Sequence, residues 1–156
     1  MIFNRKMGNH NSSAISPKKI PLVFLGGSCC DNMYREHFAI PMFTKAGIKY
    51  YNPKVAPGEW KESMIQEENE AKDKADIILM IIDGDTRGIM SMLEACEYIV
   101  LGRNIVLCID NVTKYEESEN KDINRGRAYL RDIAKKHHIS IYSTIEEAVT
   151  SIIQTY

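Results

Sequence analysis

Two segments constrain the fold more than any others: "DIILMIID" at 76–83 and "NIVLCID" at 104–110. Each is a nearly unbroken run of apolar, largely β-branched residues, the pattern of a strand covered on both faces. Such strands belong at the centre of a parallel sheet, and a parallel connection requires a crossover, usually a helix. Three further apolar runs, "IPLVFLGG" (20–27), "IKYYNP" (48–53) and "ISIYS" (139–143), alternate with helix-compatible stretches at 33–45, 60–75, 88–102, 122–137 and 144–155. The alternation predicts an α/β fold, a flavodoxin-like three-layer sandwich. Right-handed crossovers favour a five-stranded parallel sheet in the order 2-1-3-4-5, with helices on both faces. Gly47 and Gly102 follow the first and third helices as C-cap signals, and "STIEEA" at 143–148 holds the Ser/Thr and Glu pattern that caps the last. The charged segment "TKYEESENKDIN" (113–124) is read as a surface loop.

With 156 residues, 44% of them hydrophobic, one domain with one core is expected over residues 20–156. Residues 1–19 lack apolar periodicity and read as a flexible basic arm. They carry Arg5, Lys6, Lys18 and Lys19 and no acid, so a net charge of -1 for the whole chain leaves the remainder mildly acidic. Four charges without interleaved aromatics make a poor nucleic-acid footprint, so the arm is expected to contact a larger protein assembly instead. No apolar run reaches the length of a membrane span. Cys29, Cys30, Cys96 and Cys108 have no metal-ligand spacing, which suggests reduced thiols in a cytoplasmic protein and no zinc.

In sheets of this order, ligands bind at the carboxyl ends of the strands beside the point where strand order reverses. The loops to consider are "GGSCCD" (26–31), "NPKVAPGEW" (52–60), "DGDTRG" (83–88) and "DNVTKY" (110–115). Gly26 and Gly27 would allow a ligand close to the backbone, and Ser28 with the following amides would hold a phosphate or ribose. Arg87 would bind a phosphate or carboxylate, and Trp60 would stack on a base. A surface arginine and a core tryptophan are the plainer alternatives.

Cys29 and Arg35 have the Cys-x5-Arg spacing of thiol phosphatases, but Asp31, Met33 and Tyr34 in between do not suit a phosphate cradle. His137 and His138, beside Lys135 and Lys136, read as a helix C-terminal cap. Glu94 is the chemically distinctive residue. It follows "SML" and precedes "AC" on an apolar helical turn, and Glu97 and Tyr98 at i+3 and i+4 offer it no cation. A carboxylate there loses hydration unless something else pairs with it.

The segments "VFLGG" and "EENEAKDKADIILMIIDGDTRGIMSMLEACEYIVLGRNIVLCI", in this order, resemble the nucleoside 2-deoxyribosyltransferase-like superfamily across roughly residues 20–145. There a strand ending in Asp-Gly, here Asp83-Gly84, leads into a helix bearing a catalytic Glu and then a strand, here "GRNIVL". The resemblance implies that Glu94 is the nucleophile that attacks the anomeric carbon of a nucleoside or nucleotide, and that Glu68 stands where an assisting Asp is found. Asp83, Gly84 and Arg87 would help to shape the pocket. It also implies a homo-oligomer and needs no cofactor. Two family positions differ: Phe24 replaces a tyrosine whose hydroxyl orients the nucleophile, and Gly88 replaces an aspartate. These two losses favour the alternative of a non-catalytic binding or assembly module.

Overall fold

The alternation of apolar strands and amphipathic segments produces one parallel sheet. The computed structural model describes residues 19–28, 33–56, 58–59 and 61–156. The first eighteen residues of the basic arm, Trp60, and residues 29–32 of the thiol-phosphatase loop, Cys29 among them, lie outside the described residues. Strands β1 (Leu22–Gly27), β2 (Lys49–Tyr51), β3 (Ile77–Ile82), β4 (Ile105–Ile109) and β5 (Ile141–Tyr142) form a five-stranded sheet in the order β2-β1-β3-β4-β5. All four pairings are parallel, as the sequence pattern predicts. Gly27 lies beside Ile81, and Ile82 beside Ile109, so β1, β3 and β4 end side by side and their following loops share one edge.

Every residue of β3 is buried, and its side chains divide between two cores. Ile78, Met80 and Ile82 pack with Phe24, Leu107, Ala95, Tyr98 and Leu130 on one face; Ile77, Leu79 and Ile81 pack with Val23, Leu25, Phe43, Val149 and Ile152 on the other. The first face is covered by α2 (Ser63–Lys74), α3 (Ile89–Val100) and α4 (Glu117–Lys136), the second by α1 (Ile40–Ala46) and α5 (Ile145–Thr155). Among the described residues, no helix is long and apolar enough to cross a membrane.

The expected caps form. Gly47 is left-handed at φ 69° and closes α1, Gly102 follows α3 at φ 68°, and Thr144 and Glu147 make a reciprocal capping box on α5. Two elements differ from expectation. The first helix opens with a π-helical turn, Arg35–Ala39, which widens the chain where Arg35 turns under β1. The fourth begins at Glu117 rather than near 122, so most of the presumed loop "TKYEESENKDIN" is helical. Charge alone suggested a loop, but the segment has no helix breaker, and Glu117 and Glu119 in the first turn favour the positive end of the helix dipole. Its entry is tied by Asn120, which bonds both the amide and the carbonyl of Tyr115.

The glycines ending β1 serve the neighbouring strand. A Cβ on Gly27 would lie 2.2 Å from the Ile81 carbonyl oxygen, and its φ of +116° disfavours any side chain. A Cβ on Gly26 would meet the flexible Met80 terminus at 2.9 Å. Gly27→Ala is therefore expected to cost roughly 3 kcal/mol or more, about 6–12 °C in Tm, and Gly26→Ala clearly less. Thermal denaturation followed by circular dichroism measures both. Equal, near-zero effects would mean that these positions do not serve strand packing.

Cys108 is 1% exposed in the core of β4, and burial pushes its thiol up to about 11. Because the folded state holds this proton more tightly than the unfolded chain, the contribution to stability is present below about pH 8.5 and fades as pH rises towards 11. Iodoacetamide at pH 8 should leave Cys108 unlabelled in the native protein and alkylate it after denaturation, as read by peptide mass spectrometry.

Candidate functional site

The candidate site starts with two neighbouring strands. Phe24 on β1 pairs in register with Tyr51, the last residue of β2, and their rings stack with centroids 5.7 Å apart and planes 14° from parallel. Over this platform α2 carries Glu68 and, one turn later, Lys72. From the next helix on the same face, α3 presents Glu94.

One ammonium joins these carboxylates. Lys72 Nζ donates to Glu68 Oε1 at 2.7 Å and to Glu94 Oε1 at 2.7 Å, and it lies 5.4 Å from the centre of the Phe24 ring. The two carboxylate oxygens are thus no farther apart than twice that bond length. Lys72 is 9% exposed, whereas the Glu68 and Glu94 side chains are 39% and 31% exposed. Burial pushes the Lys72 pKa down, but the hydrogen bonds it donates to Glu68 and Glu94 more than offset it, and the net direction is upward. The lysine stays charged. Glu94 therefore finds its cation on another helix, which sequence spacing within α3 had no means of showing.

Beside this ion pair lies a cleft of about 480 Å³, lined by Tyr51, Asn52, Lys54, Val55, Met64 and Glu68 among others. Glu68 and Tyr51 are its link to the site, and Glu94 sits behind Glu68 across Lys72 rather than in the lining. Burial, followed by the charges of Glu68 and Glu67, holds the Tyr51 hydroxyl above its ordinary pKa. Lys54 is pinned at 2.8 Å to Glu36 from the π-helical turn, and this bond is the main reason that the Glu36 carboxyl lies below its ordinary range.

The loops at the carboxyl edge are held by buried guanidinium groups. Arg35 is fully buried and donates to the carbonyls of Leu25, Gly27 and Ser28, while Tyr34 donates to that of Gly26 at 2.6 Å. Arg35 is thus committed to the backbone of β1, unlike the phosphate-binding arginine that its spacing from Cys29 suggested. Arg127, also fully buried, donates to the carbonyls of Asp83, Asp110, Thr86 and Arg87. Burial lowers its pKa, chiefly by desolvation.

The remaining predicted residues have local tasks. Asp83 Oδ1 accepts the amides of Asp85 and Thr86 at 2.8 and 2.9 Å, shaping the turn after β3. Gly84 lets that turn approach the Asn111 carbonyl, which a Cβ would meet at 2.9 Å. Gly88 caps α3 in the left-handed region, so the glycine at this position meets a backbone demand. Arg87 is half exposed, pairs with Glu119 and lies 4.5 Å from the Tyr115 ring, so a carboxylate of the chain itself takes the place expected for a ligand. Trp60 and the end of "GGSCCD" are outside the described residues. Glu68, Glu94 and Phe24 are brought together; Asp83, Gly84 and Arg87 cluster separately over Arg127. Lys72 and Tyr51 were missed, although Lys72 stands at i+4 from Glu68 and Tyr51 ends a strand at the ligand edge.

A family model described as "Nucleoside 2-deoxyribosyltransferase like" matches residues 20–112, which include every residue of the ion-paired site. Among solved structures, a conserved protein from Enterococcus faecalis V583 is 12% identical, with a TM-score of 0.62, covering 88% of this chain and 100% of that one. A 2-deoxyribosyltransferase from the psychrotolerant bacterium Bacillus psychrosaccharolyticus is 14% identical, with a TM-score of 0.51, covering 84% of this chain and 95% of its own. At such identities the likeness is one of fold. No curated protein sequence matches at a significant level.

Replacing Arg127 would strand four carbonyls at the ends of β3 and β4. Arg127→Met should destabilise the domain by roughly 3–5 kcal/mol, about 6–20 °C in Tm, as read by differential scanning calorimetry. A loss under 1 °C would show that those carbonyls find water without it.

Proposed function

The chain belongs to the nucleoside 2-deoxyribosyltransferase-like family, and from that membership we propose that it binds a nucleoside or nucleotide and cleaves or transfers at the N-glycosidic bond, with Glu94 as nucleophile. The observation that carries the reading is the pair of carboxylates, Glu68 and Glu94, held on one ammonium beside a cleft of about 480 Å³. Their close spacing suits a double displacement, in which one carboxylate must reach the reacting carbon directly; retaining glycosidases hold their two carboxyl groups about 5–5.5 Å apart. A substrate would lie along the cleft with its base near Tyr51 and its sugar beneath Glu68. Phe24 supports Tyr51 by stacking on its ring, while the "GGS" turn at Gly26, Gly27 and Ser28 and the separate cluster of Asp83, Gly84 and Arg87 lie outside the lining of the cleft.

The chemistry runs in two steps. Glu94 attacks the anomeric carbon, and the carbon–nitrogen bond breaks with its electron pair leaving on the base, which takes a proton from water. Water or a second base then attacks the same carbon, gives up a proton, and releases Glu94 as a carboxylate. Glu68 positions the sugar or the nucleophile. The volume of the cleft is that of a small-molecule site and accommodates a nucleoside.

A second reading is a binding module without turnover. It is favoured by the engagement of Glu94 with Lys72 and by the absence of side chains at Gly88. The two separate in a chromatographic screen of nucleosides and their 5′-monophosphates for free base. Under the enzymatic reading, wild-type protein releases base from at least one substrate, and Glu94→Gln reduces the rate about a thousandfold or more while leaving Tm nearly unchanged. Silence from folded wild-type protein across the panel, with ligand binding retained in calorimetry, selects the module.

A further inference from the structure

We infer that Lys72 is a positioning residue for Glu94: its ammonium, seated between Glu68, Glu94 and the Phe24 ring, fixes the attacking carboxylate and stabilises it as a leaving group. This inference rests on the glycosyl-transfer reading of the same site and extends it to a residue that the sequence did not single out.

The geometry leaves the ammonium little freedom. An alkylammonium has three N–H donors. Two are taken by Glu68 Oε1 and Glu94 Oε1, each at 2.7 Å, and the cation also faces the Phe24 ring at 5.4 Å. The stem is covered, since the residue is 9% exposed. Phe24 offers no hydrogen-bond donor of its own, and within α3 neither Glu97 nor Tyr98 supplies a cation to Glu94. Orientation of Glu94 therefore comes from α2, the neighbouring helix on the same face of the sheet.

Both bonds from Lys72 go to a single oxygen of each carboxylate. With Oε1 of Glu94 held, Oε2 is the oxygen placed to attack. In the first step an ammonium beside the carboxylate costs some nucleophilicity. In the second, the bond between the anomeric carbon and Glu94 breaks and its electron pair returns to the carboxylate, where a charge-assisted hydrogen bond lowers the barrier. Glu68 shares the same cation, so Glu94 is not neutralised by a lysine of its own. The three charges sum to one negative charge, and the site keeps a nucleophile while holding it still.

The test combines turnover with a measurement that does not need it. In ¹⁵N-lysine-labelled protein, an ammonium held by two carboxylates gives a protected Nζ–H signal at neutral pH, and Glu94→Gln should weaken or remove it. For turnover, Lys72→Met should lower kcat on the order of 10- to 100-fold with KM changed by less than about threefold, and Lys72→Arg should recover part of kcat. A purely structural role would lower Tm in Lys72→Met without this division between kcat and KM. Wild-type kcat in folded Lys72→Met overturns the inference alone, as does absence of the protected signal from wild-type protein. No turnover by wild type with the signal present overturns the glycosyl reading and this inference with it.

Discussion

A parallel sheet ends in carbonyl groups that no neighbouring strand can reach, and in this protein buried guanidinium groups take them. Arg35 holds the end of β1 through Leu25, Gly27 and Ser28; Arg127 joins the ends of β3 and β4 through Asp83 and Asp110; Arg131 adds the carbonyl of Ile109 at 2.9 Å. A buried unpaired carbonyl costs on the order of 1–3 kcal/mol, so these arginines set where the strands stop and how the loops leave. The loops after β3 and β4 lie together because one side chain bonds both. The carboxyl edge is thus built from within, and the candidate site inherits its rigidity.

The site itself depends on a balance of charge. A lysine that is 9% exposed would be unfavourable alone, because burial penalises its charged form. Two carboxylates at 2.7 Å reverse the direction, and the Phe24 ring adds a face for the cation. The carboxylates gain as well, since each is only partly solvated on its helix. Removing the lysine would leave two carboxylates facing each other, and removing both carboxylates would leave a buried cation alone, which couples α2 to α3 across the β1–β3 boundary, where strand order reverses.

Much of the fold was legible because burial on both faces leaves a clear mark. Ile77 to Ile82 had to be a central strand, since no other element buries six consecutive apolar residues between two layers of helix. Gly47 and the Thr144–Glu147 box were legible because caps require particular residue types at particular offsets. The start of α4 was misread: "EESEN" is polar throughout, and whether such a segment is helix or loop depends on Asn120, which pins its entry through Tyr115. The glycines of "GGSCCD" suggested room for a ligand, yet at Gly26 and Gly27 the close neighbour is β3. Composition reports that something approaches a glycine and not what it is.

The sequence by itself determined the class of sheet, the order of its strands, the family, and the anomaly of a carboxylate at Glu94 without a partner on its own helix. Hydrophobic periodicity and cap chemistry are local, and local patterns survive in one dimension. Only the tertiary structure decided that Lys72 answers Glu94, that Tyr51 stacks on Phe24, and that Arg35 and Arg127 serve carbonyls rather than ligands. Those contacts join residues 7 to 44 positions apart, or neighbouring strands in register, and their energies come from desolvation and charge at distances that exist only once the helices have packed on the sheet.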